Sequence, residues 1–231
     1  MRFLYLFILF ILPLLVIGQA NFALYGGAGY RLGAEQSNTN YIYVTGIDGA
    51  STEEVEMENS LGVDAGPVYH LGFSMVYKYK RRKLGFGANT QISYTQLKIY
   101  YTNVSISRQS YFAAFANIYQ SSMFTASVNP QLVYSFRKFN LGLGPNLYWN
   151  FGYDDYEPPT NTLQDFNPDF SPEPIVAGVG LTIDYSINSL FKTKFILDQA
   201  LSPINKIEAG DEFTLVNRPT SVAIALGINL N

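Results

Sequence analysis

The sequence predicts an all-β fold: a closed antiparallel transmembrane β-barrel, with eight strands as the first count and ten as the alternative, short periplasmic turns and long extracellular loops. Three observations predict it. Apolar residues recur with period two along most of the chain. The breaks between these segments alternate long and short. The composition is that of strands and tight turns: of 231 residues 48% are hydrophobic and only 14% charged, with 17 Phe, 18 Tyr and 19 Gly.

The first 20 residues, MRFLYLFILFILPLLVIGQA, read as a cleaved secretory signal peptide: one arginine, an apolar run, a proline, then small residues at Gly18 and Ala20. The apolar run from Phe3 to Ile17 is short of the roughly 20 residues that a spanning helix needs. Cleavage is expected after Ala20, with Gly18 the alternative, and residues 21–231 form the barrel domain.

Eight strands are expected at 22–33, 64–79, 84–101, 121–137, 139–152, 174–187, 192–201 and 219–231. The last shows the pattern best. In TSVAIALGINLN, Val222, Ile224, Leu226, Ile228 and Leu230 share one face, and small or amide residues share the other. Short connections fall near 80–83, 137–138 and 188–191; long ones cover 34–63, 102–120, 153–173 and 202–218. A soluble β-sandwich also alternates, but it has no reason to gather every long loop at one end, whereas a membrane barrel does. Within 102–120, Phe112, Phe115 and Tyr119 stand at helical spacing. That segment reads either as a short rim helix or as strands continuing beyond the membrane, and the second reading underlies the ten-strand alternative.

The two faces carry different chemistry. The apolar face ends in aromatics at Tyr77, Tyr79, Tyr94, Phe136, Phe139 and Trp149, the expected interfacial girdle. The opposite face is Gly, Ser, Thr, Asn and Gln, suited to a polar lumen. Strands can cross a bilayer only in a closed barrel, because hydrocarbon leaves no partner for an open edge.

Charge is sorted by end. Loops 34–63 and 153–173 hold 12 of the 18 acidic residues and no Lys or Arg. Lys78, Lys80, Arg81, Arg82, Lys83, Arg137, Lys138, Lys192 and Lys194 gather at the short turns. The basic turns suit phospholipid headgroups. The acids read first as solvated loops, since no run has the spaced oxygens and central glycine of a Ca²⁺ loop; a divalent cation or a basic partner is the alternative.

Residues 129–151, NPQLVYSFRKFNLGLGPNLYWNF, resemble the PorT-like outer-membrane β-barrel domain family of Bacteroidota: Pro130 early in a strand, Arg137 and Lys138 in a short basic turn, then Gly144 and Pro145 in the next strand. The following hairpin, 174–205, is similar to that family's glycine-rich strand, turn and strand, with Ala200 where glycine is usual. The resemblance covers mainly 120–231. It implies an outer-membrane barrel of about eight strands; most members have no assigned activity, and a few are linked to secretion and gliding machinery. The terminal LGINLN is also similar to a barrel-assembly signal, without the usual final aromatic.

The absence of cysteine excludes thiol catalysis, Cys-ligated metals, disulfides and an acylated N-terminal cysteine, and the single histidine excludes His-based metal clusters. A net charge of −3 without a long basic tract argues against nucleic acid as a partner. An eight-stranded barrel is just wide enough for side chains to fill. Arg31, His70, Lys78, Asp184, Lys194 and Asp198 are expected inside as a polar network, with Asp184 and Lys194 opposite each other across the turn near residue 189. His70 and Ser74 share the inward face and suggest a lipid hydrolase or acyltransferase, but four residues along a strand is about 13 Å, beyond hydrogen-bond reach.

The sequence thus leads to a non-catalytic outer-membrane barrel without cofactor or metal, exported by its signal peptide. It would serve as an anchor or a component of an envelope assembly, with a secretion assembly among the candidates. A narrow barrel for a small or hydrophobic ligand is the alternative, and a lipid-modifying enzyme a distant third. Its partners would be outer-membrane lipids and an envelope protein met through loops 34–63, 102–120 and 153–173.

Overall fold

The computed structural model describes residues 20–45, 52–78, 83–106, 111–155, 169–203, 205–209 and 213–230. The expected signal peptide, except Ala20, lies outside them. Thirteen strands follow in chain order: β1 Ala20–Arg31, β2 Ala34–Thr45, β3 Thr52–Val63, β4 Gly66–Lys78, β5 Leu84–Ile106, β6 Tyr111–Phe136, β7 Phe139–Asp155, β8 Asp169–Pro172, β9 Ile175–Ser186, β10 Phe191–Ala200, β11 Asn205–Ala209, β12 Phe213–Asn217 and β13 Thr220–Asn229.

Eight of these close a ring of antiparallel neighbours, β1-β4-β5-β6-β7-β9-β10-β13, with β13 returning to β1 from Ala23↔Asn229 to Arg31↔Ser221. Every expected strand corresponds to one ring strand within a few residues, except where β5 and β6 run on beyond their expected limits. The sheet contains ten strands but the ring only eight, because β2 and β3 extend it without entering the closure.

Residues 34–45 and 52–63 are therefore paired strands and not open loop. β2 pairs with β3 along its whole length, and β3 pairs with the upper part of β5 from Glu56↔Ile106 to Val63↔Ile99. The β1/β4 hairpin thus continues upward, after breaks at 32–33 and 64–65, as β2/β3. Residues 111–119 are strand and not a rim helix: β6 runs through them, paired with β5 across a bulge between Asn103 and Ser105. The other long connections also contain strands, with β8, β11 and β12 forming a separate three-stranded sheet.

The outer wall is apolar over one band. On β7, Leu141, Leu143, Leu147 and Trp149 are each 40% or more exposed, as are Ile224, Leu226 and Ile228 on β13 and Leu230 just after it. From Phe139 to Trp149 the strand runs about 33 Å, and a tilt of about 40° gives about 25 Å along the barrel axis, the height of the apolar band of an outer-membrane barrel. Aromatics mark both borders. Tyr94 meets Phe124 in a tilted pair at 5.0 Å and Phe124 stacks on Phe151 at 6.2 Å at the upper border; Phe139 meets Tyr185 at 4.9 Å at the lower.

Above the band the polarity of the wall reverses without any change in parity. Along β5 the inward residues Asn89, Gln91, Ser93 and Thr95 give way to Leu97 and Ile99, both almost fully buried. The outward residues Leu84, Phe86 and Ile92 give way to exposed Gln96 and Lys98. Leu61 and Val63 of β3 and Leu215 of β12 are also buried at this end. Where the wall meets hydrocarbon, apolar side chains must face out; where it meets water, the same argument sends them in.

Two local devices fix the β6/β7 hairpin. Its turn is Arg137–Lys138, and Arg137 has a φ of 51°, a left-handed conformation that costs a residue with a Cβ roughly 1 kcal/mol. Further up, the ladder between Val128↔Leu147 and Leu132↔Leu143 is interrupted where Pro130 and Pro145 lack an N–H. Asn129 supplies the missing donor, its Nδ2 donating to the carbonyls of Gly144 at 3.1 Å and Pro145 at 2.6 Å. Gly144 lies so close to the Pro130 carbonyl that a Cβ there would overlap it.

Candidate functional site

The lumen is the concentration of buried polar chemistry in this molecule. Among the described residues its buried charges are Arg31, Lys192, Lys194, Asp184 and Asp198. Asp184 of β9 is the hub of the lower half. It is the register partner of Lys194 on β10, whose Nζ lies 3.4 Å away, and Lys192 Nζ approaches to 3.5 Å from the same strand. Both lysines reach across the lumen as well: Lys192 Nζ donates to Ser74 Oγ at 3.0 Å, and Lys194 Nζ donates to Asn89 Oδ1 at 2.5 Å while lying 4.5 Å from the centre of the Tyr25 ring.

Asp198 holds the middle. Gln91 Nε2 donates to one of its oxygens at 3.3 Å and Asn146 Nδ2 to the other at 3.1 Å, and Tyr25 OH donates to Gln91 Oε1 at 3.3 Å. A neutral chain, Thr182 to Gln131 at 2.9 Å and then Gln131 to Asn129, completes this level. Buried charges are retained where other charges and amides surround them, and this lumen supplies both.

The inward glycines are sockets for this filling. A Cβ at Gly72 would strike the Tyr25 ring, at Gly142 the Gln131 amide, at Gly178 the Tyr148 ring and at Gly180 the Asp198 carboxylate. The void left between Tyr25, Asn89, Asn129, Asn146 and Asp198 is about 10 Å³, room for about one water.

The other expected lumen residues are placed as follows. His70 is buried, and its Nδ1 lies 2.8 Å from Ser93 Oγ on β5; Ser74 serves Lys192 instead. A serine at hydrogen-bond distance from a histidine is half of a nucleophile–base pair, but His70 Nε2 meets no orienting acceptor and both residues are shut in the wall-to-wall packing. Arg31 is 6% exposed, and its Nε and Nη1 have no hydrogen-bond partner. Lys78 is half-buried at the lower mouth. Of the expected girdle, Phe136, Phe139 and Trp149 are exposed on the outer wall, Tyr77 and Tyr94 are partly exposed, and Tyr79 lies outside the described residues.

Lys192 is a correction. Its neighbourhood reads as a basic turn, but its parity is that of Lys194 and Asp198, and the side chain points inward at 7% exposure. Tyr25, Asn89, Gln91 and Asn146 are further network members that the expected set does not name. Parity could have found them, since each stands on the inward face of an expected strand. Among the described residues no group of three or more His, Asp or Glu could hold a metal ion.

No protein-family model and no curated protein matches the chain. Among solved structures it is similar to the outer membrane protease OmpT from Escherichia coli, with a TM-score of 0.37 and 8% identity over 90% of this chain and 94% of that one. It is also similar to the translocator domain of the autotransporter NalP from Neisseria meningitidis, with a TM-score of 0.27 and 9% identity over 93% and 89% of the two chains. The toluene transporter TodX from Pseudomonas putida gives a TM-score of 0.21 and 8% identity over 93% and 90%. The barrel assignment stands on the closed hydrogen-bonded ring itself.

Proposed function

We propose that this chain is an integral outer-membrane β-barrel that acts without catalysis, as an anchor or component of a cell-envelope assembly, with a secretion assembly among the candidates. The observation that carries the reading is the filled lumen. Side chains from neighbouring strands occupy the glycine sockets, and at mid-lumen Tyr25, Asn89, Asn129, Asn146 and Asp198 leave a void of about 10 Å³, which suits a ring just wide enough for side chains to fill and argues against an open solute channel. What remains is the apolar outer band, which needs lipid, and the strands that stand above it on β2, β3, β5 and β6, which offer a surface to a partner. The N-terminal signal-like segment supports export. The Pro130, Arg137–Lys138 and Gly144–Pro145 pattern supports kinship with the PorT-like barrels.

Two measurements test it. In planar bilayers the purified protein is expected to show no unitary conductance steps; sustained steps abolished by a substitution inside the lumen would replace the anchor reading with the narrow-channel one. Affinity purification from crosslinked outer membranes is expected to recover a stoichiometric envelope protein, and its repeated absence would sink the assembly role.

A further inference from the structure

The lower rim of the barrel is electrically lopsided. β5 pairs with β6, so the β4–β5 and β6–β7 turns are neighbours, and the amide of Ser135 donates to the Lys83 carbonyl at 2.7 Å, tying one turn to the other. Lys83, Arg137 and Lys138 are all exposed there. From Ala65 to Tyr153, which covers all of β4, β5 and β6 and most of β7, the chain contains no Asp or Glu. The third lower turn, Ile187–Leu190, is uncharged.

Within this sector two cations converge on one ring. Lys83 Nζ lies 5.7 Å and the Arg137 guanidinium 5.3 Å from the centre of Phe136, which is 46% exposed on the outer wall. Arg137 holds this place in a left-handed backbone conformation, at the first central position of a two-residue hairpin, where glycine or asparagine sits more easily. A strained residue kept charged at such a position points to use of the charge. Directly above the pair runs an exposed apolar strip, Leu132 and Tyr134 on β6 and Leu141 on β7.

We propose that Lys83, Arg137 and Phe136 form a headgroup site for an anionic glycerophospholipid of the periplasmic leaflet, its phosphate between the two cations and an acyl chain along the Leu132, Tyr134 and Leu141 strip. The inference rests on the barrel spanning a membrane. Cations at the end of an apolar strip fit an amphiphile with a negative head, whereas an acidic soluble protein would use the charges and leave the strip uncovered.

Native mass spectrometry of delipidated protein, resupplied with phosphatidylglycerol or phosphatidylcholine, tests the site. The wild type is expected to keep phosphatidylglycerol in preference, and the double variant Lys83→Gln/Arg137→Asn to lose about tenfold of that retention. Asparagine accepts the left-handed φ, so the turn is expected to keep its fold, checked by heat-modifiable gel migration. Lys98→Gln, on the outer wall above the band, is expected to change nothing. Equal retention of both lipids, or undiminished phosphatidylglycerol on a folded double variant, would overturn the site. So would displacement of the lipid by poly-glutamate at equal charge concentration, which would assign the patch to an acidic protein. Flotation with vesicles of phosphatidylcholine alone separates the two levels: a protein that floats without headgroup preference loses only the site, and one that does not float loses the membrane reading and the site with it.

Discussion

Asp184→Asn is the most informative single change, because Asp184 is one buried anion set between two buried cations. Its oxygens lie 3.4 Å from Lys194 Nζ and 3.5 Å from Lys192 Nζ, and all three side chains are under a tenth exposed. At an effective dielectric constant of about 20, each contact is worth about 5 kcal/mol of Coulomb energy, much of it cancelled by desolvation. The amide keeps the shape and removes the charge, leaving two cations facing each other without compensation; the expected loss is about 3–5 kcal/mol. Lys194→Met is milder, because Asp184 keeps Lys192; what goes is one ion pair, the bond to Asn89 and the contact with the Tyr25 ring, about 1–3 kcal/mol. Exposed Lys98→Met sets the baseline within about 0.5 kcal/mol. Trp149 is the only tryptophan and lies on the lipid-facing wall, so its emission follows guanidinium unfolding in vesicles directly. If Lys194→Met costs as much as Asp184→Asn, Asp184 is not the shared counter-ion and the lumen has another centre.

The same unfolding assay checks three further changes. Asn129→Ala removes the side-chain donor to the Gly144 and Pro145 carbonyls beside the proline gap, and a loss of about 1–3 kcal/mol is expected; a neutral result would mean that water serves those carbonyls equally well. Gly72→Val places methyl groups where the Tyr25 ring sits and is expected to cost about 1–3 kcal/mol, with Tyr25→Ala in the same chain recovering part of it; no recovery would show that the socket is not the cause. Arg31→Met exchanges a buried guanidinium with two unpartnered nitrogens for an apolar chain and is expected to raise the unfolding midpoint; a lower midpoint would mean that the charge is compensated.

The ring strands were legible because hydrocarbon imposes a strict rule on the outer face, and residues such as Val222, Ile224, Leu226, Ile228 and Leu230 display it directly. β2 was not legible. AEQSNTN opens it with no apolar residue beyond the first alanine, so period two has nothing to mark, and its strand character comes from pairing with β3. The 112–119 segment leaves helix and strand both open in the sequence, since Phe and Tyr at helical spacing also occur by chance on a long strand, which is what it is. Asp184 opposite Lys194 followed from turn geometry and parity alone. Lys192 has basic-turn neighbours in sequence, but its parity, shared with Lys194 and Asp198, is what sends it inward. The glycine sockets were beyond reach, because each depends on which side chain arrives from another strand, and the order of neighbours says nothing about how far a glutamine or tyrosine reaches across.

The reversal of polarity between Thr95 and Leu97 acts as a depth mark. Sliding the barrel by two residues along its strands moves it about 5 Å along the membrane normal. In one direction this draws Gln96 and Lys98 from water into hydrocarbon, and in the other it lifts the Phe124 and Trp149 level out of its interface. Either shift is opposed on the β5, β6 and β7 side of the ring. A bilayer of a different thickness must therefore deform to meet this protein, and the strands above the band stand at a fixed height over the headgroups, where a partner would find them at one elevation.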